Sequence, residues 1–169
     1  MLSFDLRDLD VHAARVDGVL ASDDAVWLES DQRPTDGVHV TGRLSVAGSS
    51  RFYFSGRLEG SSRDACRRCL VDVESPVAED VHLLFAESEG EDTDDSDVYV
   101  IEARDHELDL RPAIREQWLL AVPSLVVCRD DCKGLCPKCG ADLNLGACSC
   151  APTQDPRWDA LRSLDESKR

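Results

Sequence analysis

The feature that most constrains this chain is its set of eight cysteines among 169 residues. One pair, Cys66 and Cys69, forms a CRRC motif, and another, Cys136 and Cys139, forms CPKCG. Two cysteines separated by two residues can wrap one metal ion on a tight turn, and zinc takes four such ligands in a tetrahedron. The remaining cysteines are Cys128, Cys132, Cys148 and Cys150. The chain therefore carries enough ligands for two zinc ions.

One zinc site is predicted from the C-terminal cysteines alone. Eight residues separate Cys139 from Cys148, and Cys150 follows in the same short loop. Gly140 lets the backbone curl so that amide groups can point at sulfur. The predicted ligands of this local site are Cys136, Cys139, Cys148 and Cys150.

The second predicted zinc site joins segments that are distant in sequence, because 58 residues separate Cys69 from Cys128. A metal ion there would fix a predicted sheet against a predicted helix. An alternative grouping moves Cys132 into the C-terminal site and leaves another thiol unmatched. The predicted ligands of this second site are Cys66, Cys69, Cys128 and Cys132.

Disulfides and reactive thiols are the other possible uses of these cysteines. Residues 1–10 lack the basic start and apolar run of a secretory signal, and no run of about 18 apolar residues occurs. We therefore expect a cytoplasmic protein outside the membrane, where structural disulfides are rare. A redox CxxC needs a helix N-terminus in a βαβ setting, whereas CRRC lies between predicted strands. Four thiolates also leave no open position for a catalytic water, which favours structural zinc.

Apolar residues alternate with polar ones over Val38 to Val46, Phe52 to Leu58 and Val71 to Phe85, and Gly48 to Ser50 marks a turn. A two-residue period is typical of strands with one buried face. We therefore predict an antiparallel β-meander of three or four strands, or a partial barrel, with a returning strand at Val98 to Ile101.

Two helices are predicted downstream. Asp109 is a suitable N-cap for the first helix, which Pro123 ends. Asp155 and Pro156 begin the second, which either packs on the domain or binds a partner. Their apolar stripes are Leu110, Ile114, Trp118 and Ala121 in the first helix, and Trp158, Leu161 and Leu164 in the second.

The predicted fold class is therefore α+β, with a few helices and a zinc-ribbon-like cysteine module at the C-terminus. We expect an α+β domain over residues 1–133, and a zinc-knuckle module with the C-terminal helix over residues 134–169. Residues 87–97 contain seven carboxylates and no basic residue. Such a segment cannot pack in a core, so we expect a flexible acidic loop there.

The chain is strongly acidic, since 34 acidic and 19 basic residues give a net charge of −15. This charge repels nucleic-acid phosphates and favours a basic partner. Basic residues nevertheless surround the cysteines, where they either offset thiolate charge or form a local positive patch. They are Arg63, Arg67, Arg68, Arg129, Lys133 and Lys138.

No motif in the sequence indicates an enzyme. There is no Gly-rich phosphate loop, GxSxG or HExxH, and the four histidines have no ligand spacing. We therefore expect neither catalysis nor a small-molecule substrate.

Three segments resemble a known family. They are CRRCL at Cys66, DLRPAIREQWLLAVP at Asp109, and CRDDCKGLCPKCGADLN at Cys128 with the later CSC and DPRW. Over about 130 residues the chain resembles the YceD-like family, the large ribosomal RNA subunit accumulation proteins. The resemblance implies a role in ribosome biogenesis and a gene often beside that of a zinc-ribbon protein of the large subunit. Some relatives lack the CPKCG and CSC portion, which implies that the C-terminal site is a separable accessory.

The leading hypothesis is a non-enzymatic zinc-binding factor that supports accumulation of large-subunit ribosomal RNA. Its expected partner is a ribosomal protein or large-subunit precursor rRNA, and the net charge favours the protein. Two alternatives are a zinc-ribbon regulator that binds nucleic acid directly and a thiol redox factor.

Overall fold

The computed structural model describes residues 2–87, 98–102, 105–151 and 157. These residues form mostly sheet with two helices, which agrees with the predicted α+β class. In chain order the elements are β1 (Ser3–Asp5), α1 (Leu6–Val11), β2 (Ala14–Leu20), β3 (Val38–Gly48), β4 (Arg51–Ala65), β5 (Asp72–Glu87), β6 (Val98–Ile101), β7 (Glu107–Asp109) and α2 (Arg111–Ala121).

The larger sheet has five strands in the order β2-β3-β4-β5-β6 and is open. Strands β3 to β5 form the predicted antiparallel meander, and β2 extends it at one edge. The longest strands are β4 and β5. The returning strand β6 runs parallel to β5, with Val98 beside Leu84. Strands β1 and β7 form a separate antiparallel pair.

The core lies on one face of the larger sheet, where the predicted alternation places apolar side chains. The exceptions are near strand ends, where Val46 and Val71 are exposed. The buried residues of β3 to β5 are Val38, Val40, Leu44, Phe52, Phe54, Leu58, Val77, Val81, Leu83 and Phe85. Among the described residues, the side chains of the other face are mostly exposed or half-buried.

Helix α2 covers this core with Ile114 and Trp118, both fully buried, as the predicted stripe requires. The indole Nε1 of Trp118 donates to the Gln32 carbonyl at 2.9 Å. The helix begins at Arg111 rather than directly after Asp109. The Asp109 carboxylate still accepts the hydrogen bond of the Arg111 amide at 3.0 Å, so it satisfies a donor at the helix start.

The first 37 residues carry structure that the sequence pattern did not predict, namely β1, α1 and the edge strand β2. In β2 the alternation is weak, because Gly18 stands between the buried Val16 and Leu20. The chain between β2 and β3 is tied down by Trp27, whose Nε1 donates to the Ala21 carbonyl at 2.7 Å. Its packing depends on distant partners rather than on a local period.

Two predicted segments fall outside the described residues. They are the acidic loop, apart from Glu87 at the end of β5, and the C-terminal helix, apart from Arg157. Within the described part of the chain, neither helix is long and apolar enough to span a membrane.

Candidate metal centres

The CRRC motif forms a tight turn between β4 and β5. The amide of Leu70 donates to the Cys66 carbonyl at 2.9 Å, and the amide of Cys66 donates to the Val71 carbonyl at 2.8 Å. Leu70 closes the turn with φ at +60°, a left-handed conformation that is rare for a residue with a side chain. The turn places both cysteine side chains on the same side of the loop.

The CPKCG motif repeats the same turn. The amide of Gly140 donates to the Cys136 carbonyl at 2.9 Å, and the amide of Cys136 donates to the Ala141 carbonyl at 2.8 Å. Gly140 has φ at +72°, so the backbone curls as the sequence predicted. The chain therefore builds two knuckles of one kind, with glycine closing the second and leucine closing the first.

The first sulfur cluster combines the CRRC knuckle with two cysteines that follow α2. The Sγ atoms of Cys66, Cys69, Cys128 and Cys132 all lie within 4.8 Å of one another. The Cys66–Cys132 sulfur distance is 4.0 Å and the Cys69–Cys128 distance is 3.6 Å. A disulfide bond would measure about 2.05 Å. Four sulfurs bonded to one ion at about 2.3 Å would lie roughly 3.8 Å apart in a tetrahedron. The cluster has the dimensions of a metal centre.

The second sulfur cluster is built from the CPKCG knuckle and the loop that follows it. The Sγ atoms of Cys136, Cys139, Cys148 and Cys150 also lie within 4.8 Å of one another. The structure thus brings the eight cysteines together in the two foursomes that spacing indicated. Cys132 lies in the first cluster, so the alternative grouping is not observed. Each cluster can hold a metal ion.

The first cluster has unequal affinities for protons. Burial raises the pKa of Cys66, but backbone amides outweigh it and bring that pKa down to about 6. Two of these amides belong to Cys128, at 3.3 Å, and Arg68, at 3.5 Å. For Cys128, burial and the neighbouring sulfurs raise the pKa to about 12. One thiolate therefore forms readily, and a full set needs a cation to offset the repulsion.

The second cluster shows the same contrast. Backbone amides of Cys139 and Lys138 lower the pKa of Cys136 to about 6. The neighbouring sulfur of Cys139, together with burial, raises the pKa of Cys150 to about 12. In each cluster, backbone amides favour the thiolate form of the first knuckle cysteine. The amides of its own turn act on Cys136, whereas Cys66 also accepts from the amide of Cys128.

The arginines of CRRC hold the loops of the first cluster in place. Arg68 donates to the carbonyls of Asp130 at 3.0 Å and Cys132 at 2.9 Å. Arg67 donates to the Ser124 carbonyl at 3.2 Å. These contacts fasten the CRRC turn to the segment after α2. The two side chains serve the architecture of the cluster, and their guanidinium donors are partly used.

Asn144 is a supporting residue that sequence reasoning missed. Its Oδ1 accepts from the Lys133 amide at 2.8 Å, and its Nδ2 lies 3.6 Å from the Cys132 sulfur. The Leu135 amide also donates to the Arg68 carbonyl at 3.0 Å. The second knuckle is therefore bound to the first cluster across the predicted division at residue 133. The only sequence signal for this supporting role of Asn144 was its position between the CPKCG and CSC motifs.

The model of the family "Large ribosomal RNA subunit accumulation protein YceD" matches residues 54–165, a span that contains both sulfur clusters. The chain belongs to the YceD family. This confirms the resemblance carried by the CRRCL, helix and CPKCG segments.

Two bacterial proteins are similar to this chain over most of its length. YlbN of Bacillus subtilis is 29% identical over 163 residues, covering 95% of this chain and 93% of YlbN. An uncharacterized protein of Mycobacterium tuberculosis is 31% identical over 164 residues, covering 94% of this chain and 72% of that protein. The similarity therefore extends through both sulfur clusters and most of the sheet.

A plant relative carries a descriptive name. It is the chloroplastic "Large ribosomal RNA subunit accumulation protein YCED homolog 1" of Zea mays, which is 38% identical over 71 residues. The match covers 41% of this chain and 24% of the maize protein. No solved structure matches the chain at a significant level.

Proposed function

We propose that this YceD-family chain is a non-enzymatic zinc protein of ribosome biogenesis that supports the accumulation of large-subunit ribosomal RNA. The observation that carries the proposal is the presence of two four-sulfur clusters inside the region matched by the family. The name of the maize relative supports the connection with ribosomal RNA.

Zinc is favoured over other metals by the ligand chemistry. Thiolates are soft ligands, and four of them in a tetrahedron select zinc or iron–sulfur chemistry. The sulfur–sulfur distances of 3.6 and 4.0 Å lie on either side of the roughly 3.8 Å expected when four sulfurs bind one zinc ion at about 2.3 Å. Four thiolates complete the coordination of the ion and leave no position for a substrate or a reactive water. The metal therefore acts as a structural clamp.

The first zinc ion would fix the end of the β4–β5 hairpin to the segment that leaves α2. Cys66 and Cys132 are both buried, so this clamp is continuous with the folded domain. Structural zinc of this kind contributes its binding free energy to folding. The second ion would order residues 136–150, which Asn144 ties to the first cluster.

A basic ribosomal protein is the favoured partner. The net charge of −15 gives the chain a negative potential that a basic protein complements, which accelerates association and makes it salt-dependent. Arg67 and Arg68 donate to backbone carbonyls, so they are poorly placed to serve mainly as RNA contacts. The chain would then contact large-subunit precursor rRNA through the protein partner, or directly through a surface other than that of Arg67 and Arg68. We place this activity in the cytoplasm.

The test combines two measurements on the full chain, one on purified protein and one in lysates. Elemental analysis should find close to two zinc ions per chain after purification under reducing conditions. In lysates, the chain should cosediment with large-subunit precursors at low salt and dissociate as salt rises. A matched control is Cys148→Ser, which should bind one zinc ion. Absence of zinc, or absence of cosedimentation at low and moderate salt, would overturn the proposal.

A further inference from the structure

The solvent-facing side of the five-stranded sheet carries a row of basic and polar side chains. Arg15 of β2 lies directly opposite Arg43 of β3, and Arg43 lies opposite Ser55 of β4. Ser55 in turn lies opposite His82 of β5. Neighbouring strands are about 4.8 Å apart, so this row extends roughly 14 Å across the sheet. It forms a continuous strip on an otherwise acidic protein.

The two arginines of this row differ in their surroundings, because the carboxylate of Asp17, two residues along β2, interacts electrostatically with Arg15. Neither Arg15 nor Arg43 forms an ion pair with a described residue, and both side chains are exposed. Arg57, one row further along β4, shows the contrast. It pairs with Glu59 at 2.9 Å and with Asp80 at 2.8 Å. Like charges placed directly opposite each other in a sheet are destabilising, so the Arg15–Arg43 pair favours an external anion.

A flat aromatic surface lies beside the arginines. The hydroxyl of Tyr53 lies 2.8 Å from Nδ1 of His82, and the two ring planes are within 10° of parallel. The ring centroids are 6.1 Å apart. A hydrogen bond joins the ring edges, so the rings lie side by side rather than face to face. Both residues are exposed, with Tyr53 at 38%.

The carboxylates nearest the row on this face already have partners. Asp17 pairs with His39 at 3.0 Å, and Asp80 pairs with Arg57. On the other side of the row, Ser45 lies opposite Tyr53 and adds a hydroxyl group. Among the described residues, the strip therefore combines two arginines, hydroxyl groups and aromatic rings, with the carboxylates of Asp17 and Asp80 beside it on the same face.

We propose that this strip, defined by Arg15, Arg43, Tyr53, Ser55 and His82, binds single-stranded RNA. The arginines contact phosphates, and the paired rings of Tyr53 and His82 stack on a base. Proteins that bind single strands combine these two elements, and sheet faces with exposed aromatic residues are one way of presenting them. A basic protein is disfavoured here because the arginines would repel it. The identification of the RNA as ribosomal rests on the proposed function, whereas the RNA-binding surface itself does not.

The experiment measures binding of the zinc-loaded full chain to a fluorescein-labelled single-stranded oligoribonucleotide of mixed sequence, over a range of salt concentrations. The double variant Arg15→Gln, Arg43→Gln should weaken binding at least tenfold and reduce the salt slope by about two phosphate contacts. Tyr53→Ala should weaken binding roughly tenfold, and Tyr53→Phe should retain most of the affinity because the ring remains. The matched control is Arg57→Gln, which removes one arginine from the same face.

Urea unfolding of each variant ensures that the comparison is made between folded proteins. Retained affinity in the double variant, or equal losses in it and Arg57→Gln, would overturn the RNA surface. So would binding that depends on Arg67 and Arg68 instead. Unchanged RNA affinity combined with lost cosedimentation would assign the strip to a protein and also overturn it. If the double variant binds RNA like the parent and still cosediments with precursors, this inference fails while the proposed function stands.

Discussion

Replacing Cys69 by serine should destabilise the whole α+β domain. Cys69 contributes to the cluster that also contains Cys128, and 58 residues separate the two in sequence. A metal ion held by both segments closes this long loop and so restricts the unfolded chain. Cys148→Ser is the matched comparison, because its cluster closes only the eight residues between Cys139 and Cys148.

The magnitude follows from the lengths of the two loops. By the relation used for cross-links, closing a loop of about 60 residues stabilises a fold by about 4 kcal/mol. The short C-terminal loop gives about 3 kcal/mol, and that stabilisation is confined to residues near the second cluster. Domains of this size have a total stability of roughly 5–15 kcal/mol. Loss of the first clamp should therefore remove a large part of it.

Urea unfolding followed by circular dichroism, with zinc content measured on the same samples, tests the difference. Cys69→Ser should bind one zinc ion and lose most of its resistance to urea. Cys148→Ser should also bind one ion, but the transition of the sheet should move by less than about 1 kcal/mol. A Cys69→Ser protein as stable as the parent, with two zinc ions, would show that Cys69 is not a ligand.

Three further predictions concern the turns, the sheet and proton competition. Leu70→Gly should raise the free energy of unfolding in urea by about 0.5 kcal/mol, because φ at +60° strains a leucine that is 64% exposed; a fall in that free energy would contradict this. Gly42→Ala should cost about 2 kcal/mol, since its Cβ would lie 2.5 Å from the Ser55 carbonyl oxygen, whereas Gly146→Ala meets no atom within 4 Å and should be neutral in the same assay. The pKa of Cys66 is lowered from 9.0 to about 6, so its thiolate stabilises the fold fully above pH 9 and this contribution is lost as the pH falls towards 6. Zinc release to a chromogenic chelator should increase as the pH falls, because protons compete with the metal ion for the thiolates, and release that does not change with pH would contradict this.

Local sequence patterns determined much of the fold. The alternation from Val38 to Phe85 fixed which face of each strand is buried, because successive side chains of a strand point to opposite sides. Asp109 and Pro123 marked the region of α2 through hydrogen bonding and loss of a donor. The CRRC and CPKCG motifs determined their turns, which depend only on neighbouring backbone groups.

The tertiary structure decided which residues that are distant in sequence come into contact. Spacing favoured the placement of Cys132 but left an alternative, and the fold placed its sulfur 4.0 Å from that of Cys66. The strip from Arg15 to His82 was invisible in the sequence, because its members come from four strands and meet only through strand register. The edge strand β2 likewise depends on pairing with β3. Periodicity records which way a side chain points along its own strand, whereas proximity between strands depends on how the whole chain packs.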